Sequence, residues 1–125
     1  MEFQAWRLPA RRDGQGLGKP SIFQETLMPH ESRLTLELRA LLHSQRVAAL
    51  GTIEDDGNPF VSMVPYAMEP SLGCLVIHVS GLAAHTGNLQ VRPNVSVLVM
   101  QAEVEGEPVH ALPRVTLDGL AREIA

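Results

Sequence analysis

The sequence predicts a mainly β domain: an antiparallel sheet curling toward a barrel, with one amphipathic helix ahead of it and a short helix crossing it. Three observations point there. Apolar runs at residues 46–53 and 59–67 flank Glu54-Asp55-Asp56-Gly57-Asn58, and an Asp-Gly pair between two such runs is a strong hairpin signal. Residues 75–99 read as strand, short helix and strand, with β-branched runs on either side of Gly81 to Val91. Leu34, Leu38, Leu41 and Leu42 recur at the spacing of one helical face.

Residues 1–29 show no sustained periodicity. They hold Pro9, Gly14, Gly16, Gly18, Pro20 and Pro29 among Arg7, Arg11, Arg12 and Lys19, which predicts a flexible arm. Phe3, Trp6 and Phe23 are its apolar exceptions and suit docking on a partner subunit; an unordered tail is the default expectation. Residues 30–125 form the domain. Its helix spans 31–44, with Glu31 in the first turn and His43 in the last, both suited to the helix dipole. The first strand is 46–53 and the second 59–67. On the second, Phe60, Ser62, Val64 and Tyr66 share one face and Val61, Met63 and Pro65 the other. Pro65 donates no ladder hydrogen bond, so this strand is expected at an edge or bulged near its end.

The third strand is 73–80. Ser80 is the expected N-cap of a helix over 81–91, which Arg92-Pro93 terminates. A fourth strand covers 94–102, a polar loop with Gly106, Pro108 and Pro113 covers 103–113, and a fifth strand covers 114–123. Five strands and two helices are short for a closed barrel.

Composition narrows the function. The chain has 125 residues, 45% of them hydrophobic, with a net charge of −4, which fits one soluble domain and argues against a nucleic-acid or anionic-membrane partner. No apolar run reaches a membrane span, and no apolar core follows the N-terminal arginines as in a secretory signal. Cys74 is the single cysteine, so no internal disulfide forms, and the expected compartment is the reducing cytoplasm. Beside Leu75 and Val76 it reads as a buried, inert thiol. The five histidines and Cys74 lack zinc-site spacing, so no metal site is expected. There is no Walker loop and no G-x-S-x-G, and no motif names a catalytic residue.

One junction carries candidate chemistry. Ser80, His85 and Thr86 cluster where a strand enters a helix, and a helix N-terminus offers unpaired N–H groups that can hold a phosphate. On spacing alone, an ordinary strand–helix connection is the commoner explanation.

Longer stretches resemble a known family. These are Ser80-x-Leu82-Ala83-x-His85-Thr86-x-Asn88-Leu89 and Pro93-x-Val95-Ser96-Val97-Leu98-Val99. Arg46-Val47-Ala48-Ala49-Leu50-Gly51-Thr52, the run from Pro59 to Ala67, and Arg114-Val115-Thr116-Leu117-Asp118-Gly119 complete the set. In this order they are similar to the pyridoxamine 5′-phosphate oxidase-like, FMN-binding split-barrel family, nearest its haem-utilisation and flavin-nucleotide-binding branch, over residues 31–124. The family usually continues past the strand that resembles Arg114 to Gly119, so the resemblance implies a C-terminally truncated or minimal member, lacking at least one closing strand.

The resemblance implies an antiparallel split β-barrel that forms a homodimer, with FMN at the interface and flavin-dependent oxidoreductase chemistry on a small molecule. It would rest the isoalloxazine against Ser62, Met63 and Val64. It would hold the phosphate with Ser80, His85, Thr86 and Asn88, with Arg114 facing the same cleft. Ser62, Ala67, Ala84 and His85 stand where pyridoxamine phosphate oxidases carry basic residues, and Gly87 where many nearer relatives carry arginine or lysine. Oxidase activity on pyridoxamine phosphate is therefore not expected, and His85 is left as the one local source of side-chain charge. The alternatives are a non-catalytic flavin- or haem-binding protein, or a degenerate dimeric scaffold with no ligand.

Overall fold

The structure, a computed structural model, describes residues 3–9, 32–69, 71 and 73–124. The elements run β1 (Phe3–Pro9), α1 (Arg33–Ser44), β2 (Val47–Ile53), β3 (Pro59–Glu69), β4 (Cys74–Ser80), α2 (Ala84–Val91), β5 (Asn94–Met100), a 3₁₀ turn (Val109–Ala111), β6 (Arg114–Leu120) and β7 (Arg122–Glu123). The strands form one antiparallel sheet in the order β6-β5-β2-β3-β4-β1-β7. Its two outermost strands, β6 and β7, are consecutive in the chain, so the sheet curls until its ends meet. This is an antiparallel split β-barrel with, among the described residues, two helices, as the sequence predicts.

Each hairpin has a local cause. Gly57 takes a φ of +88° at the β2–β3 turn, a conformation that favours glycine over any residue with a Cβ. Asp56 Oδ1 accepts from the Asn58 N–H at 2.9 Å and stiffens that turn. Pro65 sits where β3 changes partner. Up to Pro65 the strand pairs with β2, and from Tyr66 it pairs with β4. A residue without an N–H is tolerated at such a switch.

Alternation along β2, β3, β4 and β5 sends Leu50, Val64, Ile77, Val97 and Val99 into the barrel, each 0–2% exposed. Helix α1 lies across one opening. Ser32 caps it through Oγ, which accepts from the Thr35 N–H at 3.2 Å. Leu41 and Leu42 are buried and Leu38 packs beside them. Leu34, expected on the same face, is 75% exposed, because the helix meets the barrel only with its C-terminal half. The Tyr66 hydroxyl donates to the Leu42 carbonyl at 2.6 Å, satisfying an acceptor that the end of α1 leaves without an intrahelical donor. Burial pushes the Tyr66 phenol above its usual range.

The N-terminal segment departs most from expectation. Residues 3–9 are not an unordered arm. They pair with β4 over their whole length, from Phe3 opposite Ser80 to Pro9 opposite Cys74, and Trp6 and Arg7 pair with β7. Trp6 and Leu8 are 4% and 5% exposed and belong to the barrel's own core. β1 therefore takes a position beside β4 that the sequence leaves unassigned. Phe23, the third apolar exception of the expected arm, lies outside the described residues, as does Glu31.

Two further boundaries shift. The expected fifth strand is broken at the buried Ala121, whose N–H donates to the Pro93 carbonyl at 2.8 Å, giving β6 and then the short β7. The crossover helix begins at Ala84 rather than Gly81, with Ala83 and not Ser80 as its N-cap. Among the described residues no helix is long and apolar enough to cross a membrane.

Candidate functional site

Helix α2 lies across the ends of β2 and β3, held there by three polar ties and one apolar one. The Thr86 hydroxyl donates to the Ser80 carbonyl at 2.5 Å, and the Thr86 side chain is fully buried. Asn88 Nδ2 donates to Thr52 Oγ1 at 3.0 Å, and that hydroxyl donates onward to the Phe60 carbonyl at 3.4 Å. His85 Nδ1 and Ser62 Oγ are 2.9 Å apart. Leu89, 1% exposed, fills the barrel beneath them. At the far end of α2, Arg92 reaches the β2–β3 turn and pairs with Asp55 at 2.9 Å.

The structure thus brings together Ser62, Ser80, His85, Thr86 and Asn88. Ser80 works differently from the expected cap. Its Oγ accepts from the Leu82 N–H at 3.3 Å in the turn before the helix, and its carbonyl receives both Ala83 N–H and Thr86 Oγ1. Met63 and Val64 leave the cluster on opposite sides: Met63 points out of the barrel and is 67% exposed, while Val64 is a core side chain. Arg114 is elsewhere, at the start of β6 opposite Met100, with Nη1 donating to the His110 carbonyl at 3.2 Å. Gly87 faces open space, so nothing in the fold requires a glycine there.

Thr52 belongs to the cluster and was missed as a site residue. The signal was present: it is a hydroxyl at an inward position, in step with Ala48 and Leu50.

His85 sets the electrostatics. Its Nε2 is buried and, among the described residues, is the buried side-chain polar atom with no hydrogen-bond partner. Burial lowers the pKa of the ring from its ordinary value. The imidazole is therefore neutral at neutral pH and does not supply the positive charge expected of it. The other members of the cluster, Thr52, Ser62, Ser80, Thr86 and Asn88, carry no charge.

A pH prediction follows with its sign. The folded state binds the His85 proton less well than the unfolded chain does, so the stabilising effect is fully present above the unfolded pKa of about 6.5. It declines as pH falls from there through the depressed folded value. Denaturant midpoints at about pH 7.5 and about pH 5 should therefore differ more in the wild type than in His85→Gln. Equal differences would remove His85 as the group responsible.

The family model for pyridoxamine 5′-phosphate oxidase matches residues 34–125, most of the chain. The chain belongs to the pyridoxamine 5′-phosphate oxidase family. The matched region begins inside α1, so β1 lies outside it. The chain is 31% identical to haem oxygenase HutZ of Vibrio cholerae over 91 residues, 73% of this chain and 51% of that protein. It thus spans about half the length of the curated relative it matches. Among solved structures it is similar to HutZ, described as the haem storage protein of Vibrio cholerae, at a TM-score of 0.60 and 30% identity, covering 71% of this chain and 61% of that one. It is also similar to a haem binding protein from Mycobacterium smegmatis, at a TM-score of 0.64 and 32% identity, covering 73% and 36%. Within the family, then, these similar proteins are named for haem rather than flavin.

Proposed function

We propose that this chain is a haem-binding member of the family that acts as a dimer. Two lines support this over an FMN oxidoreductase. The relatives that are 30–32% identical are described as haem proteins. The α2 cluster also suits a dianionic flavin phosphate poorly. It offers neutral donors, several already engaged in docking the helix, and its only titratable ring is held neutral by burial. Charge-assisted bonds are what a phosphate rewards.

The observation that carries the reading is the outer face of β2, β3 and β5. Val47, Val61, Met63, Leu98 and Met100 all point outward there, 36–68% exposed. Cross-strand pairing makes them neighbours: Ala49 faces both Met63 and Leu98, and Gly51 faces Val61. At its edge Met100 pairs with Arg114. Haem is a flat apolar macrocycle bearing carboxylates, which suits an apolar bed with a guanidinium at its rim. His110, exposed on the turn that Arg114 holds, offers an imidazole of the kind that ligates haem iron. When bound, haem supplies the iron; the chain supplies the apolar bed, the cation and the imidazole.

Haem titration of the purified protein tests this. The expected result is a saturating shift of the Soret band at one haem per chain. Arg114→Ala should weaken it about 10-fold or more, the cost of a lost bond to a charged group. Tight FMN binding without a Soret shift would replace this reading by the flavin one, and binding of neither would leave the scaffold.

The same face calls for a second copy of the chain, since an apolar sheet face of this extent rarely stays in water. Sedimentation at micromolar concentration should give twice the 13.6 kDa chain mass, and Met63→Lys should shift it toward monomer. A wild type that stays monomeric at high concentration would sink the shared face.

A further inference from the structure

The barrel closes unevenly. Among the described residues β6 pairs only with β5, β1 pairs with β4, and the two sides are joined through β7 alone. Along the rest of that seam no ladder bonds draw the walls together, and a cavity of about 160 Å³ remains inside. Its wall is formed by Leu8 from β1, Gly73 with Cys74 and Leu75 of β4, Val95 and Val97 from β5, and Leu117, Asp118 and Gly119 from β6. Leu42 and Met68 close the end beneath α1, and both also line an open groove of about 500 Å³ outside, which gives a way in.

We propose that this seam cavity is a binding site for one small, neutral, apolar molecule about the size of a benzene ring. The size argument is direct. A cavity of roughly 150 Å³ with aliphatic walls stays dry and takes up benzene or xenon, because water inside would find too few polar partners. Here the wall is mainly aliphatic, with the Cys74 thiol, which burial keeps protonated, and Asp118, whose Oδ1 accepts from Ser96 Oγ. A porphyrin or flavin ring system is far larger than the space. The site is therefore distinct from the outer face and from the α2 cluster, and does not rest on the proposed function. An apolar guest restores the dispersion contacts that the unclosed walls forfeit.

Methyl NMR of the full chain titrated with benzene tests the site. Saturable shifts should appear at Leu8, Leu75, Val95, Val97 and Leu117 and should be absent from Val61 and Leu98 on the outer face. Pyridine, which has the same shape but a ring nitrogen for which the wall offers only the weak Cys74 S–H donor, should bind about 10-fold more weakly. Leu117→Phe should fill the space and abolish the shifts. Non-saturating shifts, shifts centred on the outer face, or equal binding of benzene and pyridine would each overturn the proposal. The benzene and pyridine comparison uses only the wild type, so it decides the matter even if Leu117→Phe fails to fold.

Discussion

Replacing Trp6 by alanine should lower the unfolding free energy by about 3–5 kcal/mol, the range for removing a large aromatic from a packed core. A domain of this size has only about 5–15 kcal/mol in total, so the variant should sit near the edge of folding. The magnitude rests on where Trp6 lies. It is 4% exposed, it sits opposite both Ile77 of β4 and Glu123 of β7, and its indole N–H donates to Gln4 Oε1 at 3.3 Å. Losing it opens a cavity at the point where the barrel closes. It is also the only tryptophan, so wild-type emission reports directly on β1: it should be blue-shifted and protected from quencher. Urea unfolding of Trp6→Ala, followed by circular dichroism, measures the loss. A cost below about 1 kcal/mol, or freely quenched wild-type emission, would show that β1 is not part of the core.

Leu89→Ala should cost about 2–5 kcal/mol and disturb the candidate site with the same stroke. Leu89 is 1% exposed and is the apolar anchor of α2. The polar ties from Thr86, Asn88 and His85 keep their geometry only while the helix is seated. With the anchor gone, His85 should be wetter and its pKa should climb back toward the ordinary histidine value, reversing the depression that burial causes. An NMR titration of the His85 ring reads this directly. A stability loss with an unchanged His85 titration would mean that the polar ties alone position the helix.

Much of this fold was legible because its determinants are local. The Asp-Gly turn, the two-residue alternation of Phe60 to Tyr66 and the stop at Arg92-Pro93 each act within a few residues of themselves. So the hairpin, the crossover helix and the inward set of β3 were readable one stretch at a time. The site was half legible for the same reason. The approach of Ser80, His85, Thr86 and Asn88 follows from one strand–helix junction. Their tie to Ser62 spans 23 residues and the tie of Asn88 to Thr52 spans 36, and no periodicity reports such distances.

By itself, then, the sequence determined the run of antiparallel strands, the two helices and the family to which they belong. Only the tertiary structure decided how the barrel closes and what state His85 is in. β1 is a short apolar alternation next to a stretch rich in glycine, proline and arginine, and nothing local distinguishes it from a tail. It becomes a strand because β4 presents an unpaired edge and the core has room for Trp6 and Leu8. His85 is neutral because of the groups packed around its ring, and burial, like strand pairing, is a property of neighbours that are distant in sequence.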